Sequence, residues 1–73
     1  MNLDHLRYFV ALSRTEKYTQ TAKLLHITQP SLTKAIHSLE MELGVKLFKK
    51  NGRNATLTSA GKIFANDVES CYY

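Results

Sequence analysis

The residue types that could bind a metal or act as nucleophiles are scattered in this chain. His5, His26 and His37 share no metal-binding spacing, and Cys71 stands far from all of them. Zinc sites want close paired ligands. No serine, cysteine or carboxylate falls in a catalytic pattern, and a chain of 73 residues has little room for a pocket. The reading is no enzyme, no metal and no cofactor. What remains is hydrogen-bonding chemistry. Gln29, Pro30, Thr33, Lys34 and His37 recur on one side of a helix whose other side carries Leu32, Ile36 and Leu39. Glutamine pairs well with adenine N6 and N7, and threonine and proline can meet a thymine methyl, so this face suits base edges in a major groove. The alternative is a solvated helix face. His37, a full turn deeper, fits that alternative better than a base contact but stays in the candidate set.

Two flanking groups would add backbone chemistry. Thr19 opens a short helix, where hydroxyls and a helix N-terminus suit phosphate; simple capping explains Thr19 equally well. Gln20, Thr21 and Lys23 are further candidates there. Lys49, Lys50, Arg53 and Asn54 surround an Asn-Gly dipeptide. They suit contact with the phosphate backbone, with Arg53 reaching into a narrow minor groove. The alternative is a charged hairpin tip that keeps the chain soluble.

These groups need elements to hold them. Leu3, Leu6, Phe9, Val10 and Leu12 form one apolar stripe on a helix over residues 3–13, with Asn2 or Asp4 at its start. Arg14 to Lys17 reads as the connection. Tyr18, Ala22 and Leu25 share a face of a second, short helix, and His26-Ile27-Thr28 is a tight turn. Thr28 then caps a third helix, which tolerates Pro30 in its first turn. Leu32, Ile36, Leu39 and Leu43 follow as a buried stripe, and Gly44 stands where a glycine ends a helix. Beyond it the period shortens. Val45 to Lys49 is short and apolar-basic, Ala55 to Leu57 is strand-like, and Asn51-Gly52 between them is a strong hairpin signal. From Lys46 through Lys62 there are five basic residues and no acidic one. A basic hairpin directly after two closely joined helices is a wing. Thr58 caps a last helix with the apolar positions Ala60, Ile63, Phe64, Val68, Cys71 and Tyr72.

Composition agrees with this reading. Ten Lys+Arg against six Asp+Glu give a net charge of +4, a balance that favours polyanions. One cysteine permits no internal disulfide and fits a reducing compartment. No run approaches the roughly 18 apolar residues of a membrane span, and no basic region precedes an apolar run at the N-terminus. The expected location is cytoplasmic. A chain that stops inside a helical pattern is expected to be a piece of something longer.

In this order the residues resemble the N-terminal DNA-binding domain of the LysR-type transcriptional regulators. The first two helices match through Leu3-x-x-Leu6-x-x-Phe9 and Thr19-x-x-Ala22-x-x-Leu25-His26. The third matches through Gln29-Pro30-Ser31-Leu32 and Leu39-Glu40-x-x-Leu43-Gly44. The wing matches through Leu47-Phe48, Arg53 and Leu57-Thr58-x-Ala60-Gly61. The resemblance covers nearly the whole chain. It implies a mainly α fold, a winged helix-turn-helix over residues 1–57 followed by a linker helix over 58–73. The recognition helix is expected over about residues 28–43 and the wing over about 46–57.

The resemblance further implies double-stranded operator DNA as partner and a homodimer through Ala60, Phe64, Val68 and Tyr72, with a tetramer for the full-length protein. A small-molecule effector would act only through a C-terminal domain absent from this chain. The expected DNA contacts are Thr19, Thr28, Gln29, Pro30, Ser31, Thr33, Lys34, His37, Lys50 and Arg53. Two positions depart from the family pattern. Thr33-Lys34 stands for the usual Ser-Arg, which keeps a hydroxyl and a charge but loses the planar fork that reads guanine bidentately. Lys17 stands where a serine often caps the second helix. A winged helix used for protein contact would carry a neutral or acidic face instead. A DNA-targeting module of an enzyme would need catalytic residues elsewhere in a longer chain.

Overall fold

The computed structural model describes residues 2–52 and 54–72, with side chains to residue 68. Its elements run α1 (Leu3–Thr15), α2 (Tyr18–Leu25), α3 (Gln29–Leu43), β1 (Phe48–Asn51), β2 (Asn54–Leu57) and α4 (Ser59–Tyr72). This is the expected winged helix-turn-helix.

Three of the four helices start at a side-chain cap. Asn2 Oδ1 accepts the Asp4 N–H at 2.8 Å, and Thr28 Oγ1 accepts the Ser31 N–H at 3.2 Å. Lys17 precedes α2 without a side-chain cap, as its departure from the family pattern implies. α1 runs two residues past the expected end. Its stop is Glu16, whose φ of 61° is left-handed and whose N–H closes on the Leu12 carbonyl at 2.8 Å. A left-handed residue is usually a glycine or asparagine, so nothing in the residue type marked this end.

The core lies where α1, α3, the wing and α4 converge. Phe9, Leu12, Leu32, Leu39 and Leu47 are fully buried. The Phe9 ring meets Phe48 at 5.4 Å and Phe64, edge-on, at 5.1 Å between centroids. Such aromatic pairs add about 0.5–1.5 kcal/mol beyond the area they bury.

β1 and β2 pair antiparallel from Phe48↔Leu57 to Asn51↔Asn54. The strands therefore reach closer to the tip than expected, and Asn51 is a paired strand residue rather than part of the turn. Gly52, at φ 67°, takes the first position beyond it, the left-handed conformation that short hairpin turns require. A third segment flanks the sheet: Lys17 bridges Asn54, and the Ala55 N–H donates to the Glu16 carbonyl at 2.7 Å.

α4 lays part of its apolar stripe on the core: Val68 is 9% exposed, and partly buried Phe64 packs against the same core as Phe9 and Phe48. Ala60 is half-buried, and among the described side chains of the helix Ile63 is the exposed large apolar one, at 65%. Tyr72 and Cys71 lie outside the described side chains. α4 enters at Gly61, where an added Cβ would sit 2.2 Å from the Leu47 carbonyl oxygen; no other residue type permits that approach.

Candidate nucleic-acid interface

α3 turns Leu32, Ala35, Ile36 and Leu39 inward. Helical geometry then sends Gln29, Pro30, Ser31, Thr33, Lys34 and His37 outward, and all six are exposed. Gln29, Pro30, Thr33, Lys34 and His37 line one open concavity along the outer face of the helix. The helix is packed against α2, whose small Ala22 is buried. The turn between the two helices is closed by left-handed His26 and by the Ile27 N–H, which reaches the Ala22 carbonyl at 3.0 Å.

The wing forms the second wall. A groove between α3 and the wing is lined by Thr33, His37 and Glu40 from the helix, by Lys46, Lys49 and Lys50 from the wing side, and by Tyr18. Nearer the tip, Lys50 and Gly52 share a depression with Tyr18, Thr19 and Gln29. The expected contacts Thr19, Gln29 and Lys50 are thus brought together from three elements. Thr19 Oγ1 donates to Gln29 Oε1 at 3.3 Å. Arg53 lies outside the described residues.

Glu40 is the acidic member of this groove, and its charge has local partners. Its Oε2 accepts the backbone N–H groups of Leu47, at 2.7 Å, and Phe48, at 3.2 Å. One carboxylate on α3 thereby fixes the entry of the wing. The same charge and, first, partial burial push the Tyr18 phenol above its ordinary value.

One candidate changes role. Thr21 is fully buried; its hydroxyl donates to the Lys17 carbonyl at 2.8 Å and hydrogen-bonds the Thr15 hydroxyl. It cannot touch phosphate. It ties the start of α2 to the end of α1, a task the periodicity did not reveal because threonine looks the same in a cap, a core and a contact. Thr28, which is exposed, donates to Ser31 Oγ at 2.8 Å while capping α3. Sequence reasoning missed Lys46 and Tyr18 as lining residues. Lys46 carried only the general signal of a basic run, and Tyr18 was assigned wholly to the apolar side of α2.

Among the described residues no group of three histidine, cysteine or acidic side chains is placed to hold a metal ion. No described helix is long and apolar enough to cross a membrane.

Residues 3–62 match the family model described as bacterial regulatory helix-turn-helix protein, lysR family. Among curated proteins, the transcriptional regulator TfdT of Cupriavidus pinatubonensis is 42% identical over 68 residues, covering 93% of this chain and 30% of TfdT. BudR of Klebsiella aerogenes is 46% identical over 68 residues, 93% of this chain and 48% of BudR. The chain thus spans less than half the length of either regulator. The crystal structure of the CbnR DNA-binding domain in complex with DNA superposes with a TM-score of 0.93 at 35% identity, covering 99% of this chain and 83% of that one.

Proposed function

Because the chain belongs to the LysR family of bacterial helix-turn-helix regulators, we propose that it binds double-stranded operator DNA. α3 lies in the major groove, and the wing lies on the backbone and minor groove. The observation that carries this reading is the exposed outer face of α3, where Gln29, Pro30, Thr33, Lys34 and His37 share one concavity flanked by the wing lysines. Gln29 and Thr33 offer hydrogen bonds to base edges. Lys34, Lys49 and Lys50 offer charge to phosphates, which supplies affinity without sequence information. Ser31 Oγ keeps a donor for a phosphate oxygen while it accepts from Thr28. Arg53 belongs to this reading through the family motif alone.

The reading includes assembly and location. The domain acts in the cytoplasm as part of a longer regulator. α4 serves as the linker helix, and two copies pair through the face that carries Ala60 and Ile63, so that two recognition helices meet successive major grooves about 34–36 Å apart. A tetramer and a small-molecule effector belong to the full-length protein. The function is binding, not catalysis.

Titration of a random duplex pool and of the sequences selected from it, at several salt concentrations, tests the reading. Gln29→Ala should lower binding to the selected sequence by roughly 1–3 kcal/mol at one base pair and leave random DNA almost untouched. Lys34→Ala should make the dependence on salt shallower by about one unit if Lys34 meets a phosphate. A protein that binds neither pool at low salt would instead use this winged helix for protein contact.

A further inference from the structure

Thr19 and Gln29 sit on different helices, ten residues apart, and meet across the helix-turn-helix. Thr19 is the second residue of α2, beyond the N-cap position, which Lys17 occupies without a side-chain cap. The Thr19 hydroxyl is turned outward, to Gln29 Oε1 at 3.3 Å. Both residues are exposed, so nothing in the packing of the core requires the bond.

A glutamine side chain has three rotatable bonds, and an exposed one samples many positions. Holding it still costs conformational entropy that a base contact must offset. The Thr19 bond removes part of that freedom before DNA arrives. It also leaves a defined set of groups. Oε1 keeps one acceptor lone pair after receiving the Thr19 proton, and Nε2 keeps its N–H donors. An acceptor beside a donor is the pair that adenine requires, through its N6–H and N7. Donation into Oε1 further polarises the amide and strengthens the Nε2 donor.

We infer that Thr19 is a positioning residue for base reading: it holds the Gln29 amide in the arrangement that selects adenine at one base pair of the site. The inference rests on the proposed DNA binding and assigns Thr19 a specificity role in place of a phosphate contact.

The test uses the 73-residue chain and duplexes selected by the wild type from a random pool. Gln29→Ala first identifies the base pair that Gln29 reads. Thr19→Val keeps the shape and removes the hydroxyl; it should reduce the adenine preference at that base pair by roughly 2–3-fold, the low end for a neutral hydrogen bond because 3.3 Å is long, and leave affinity for random DNA unchanged. Thr19→Ser should restore the preference, and Thr19→Val added to Gln29→Ala should change nothing further at that position. An equal loss on all sequences would overturn the inference and make Thr19 a phosphate contact. An intact preference in Thr19→Val, with Gln29→Ala still flattening it, would overturn the inference alone. Failure of the wild type to bind any duplex would overturn it together with the proposed DNA binding.

Discussion

Removing the Glu40 carboxylate should loosen the wing from the recognition helix. In Glu40→Ala the N–H groups of Leu47 and Phe48 lose an acceptor at 2.7 and 3.2 Å. Bonds to a charged acceptor contribute about 1.5–3 kcal/mol each. The longer of the two lies at the edge of good geometry, and Glu40 is only half-buried, so water takes up part of the loss. A net cost of about 2–4 kcal/mol follows. A domain of 73 residues has about 4–11 kcal/mol in total, so the substitution consumes a large share of it. At 4–8 °C per kcal/mol for a domain of this size, a cost of 2 kcal/mol lowers Tm by about 8–16 °C. Glu40→Gln keeps a carbonyl acceptor without the charge and should fall between the two. Urea unfolding followed by far-UV circular dichroism measures all three proteins. If Glu40→Ala lies within about 0.5 kcal/mol of wild type with an unchanged urea slope, the carboxylate does not anchor the wing.

Three further outcomes are expected. Gly61→Ala drives a methyl to 2.2 Å from the Leu47 carbonyl oxygen and should cost about 3 kcal/mol or more in urea unfolding; Gly52→Ala meets open space and should cost only the roughly 1–2 kcal/mol of a left-handed residue. Val68→Glu should destabilise the domain itself by about 3 kcal/mol or more, the cost of an uncompensated buried charge; Ile63→Glu should leave stability within about 0.5 kcal/mol and, in sedimentation, shift any dimer formed through α4 toward monomer. Burial, with Glu40 second, raises the Tyr18 phenol above 10.0 in the fold, so its neutral form is favoured there; that stability is fully present below pH 10 and is lost as pH rises through the folded value, and Tyr18→Phe should remove part of the alkaline loss seen in pH-dependent melting.

Much of this protein was legible in its residues. The helix stripes, the Thr28 and Thr58 caps, the Gly44 stop and the basic hairpin are local signals, because a helix period or a cap involves residues within a few positions of each other. They placed the outer face of α3, and with it Gln29, Pro30, Thr33, Lys34 and His37, before any packing was known. The tertiary structure decided what local patterns leave undetermined, namely what stands opposite each side chain. Phe64 and Val68 had the spacing of an interface stripe, and only the tertiary structure shows Val68 buried in the core and Phe64 edge-on against Phe9 of α1. Thr21 had the look of a contact residue until the Lys17 carbonyl and Thr15 closed over it. The Glu40 bond to the wing and the Thr19 bond to Gln29 join residues seven to ten positions apart on separate elements. No repeat or residue type announces such a bond; it exists because the turn angles and helix crossings bring two polar atoms within reach.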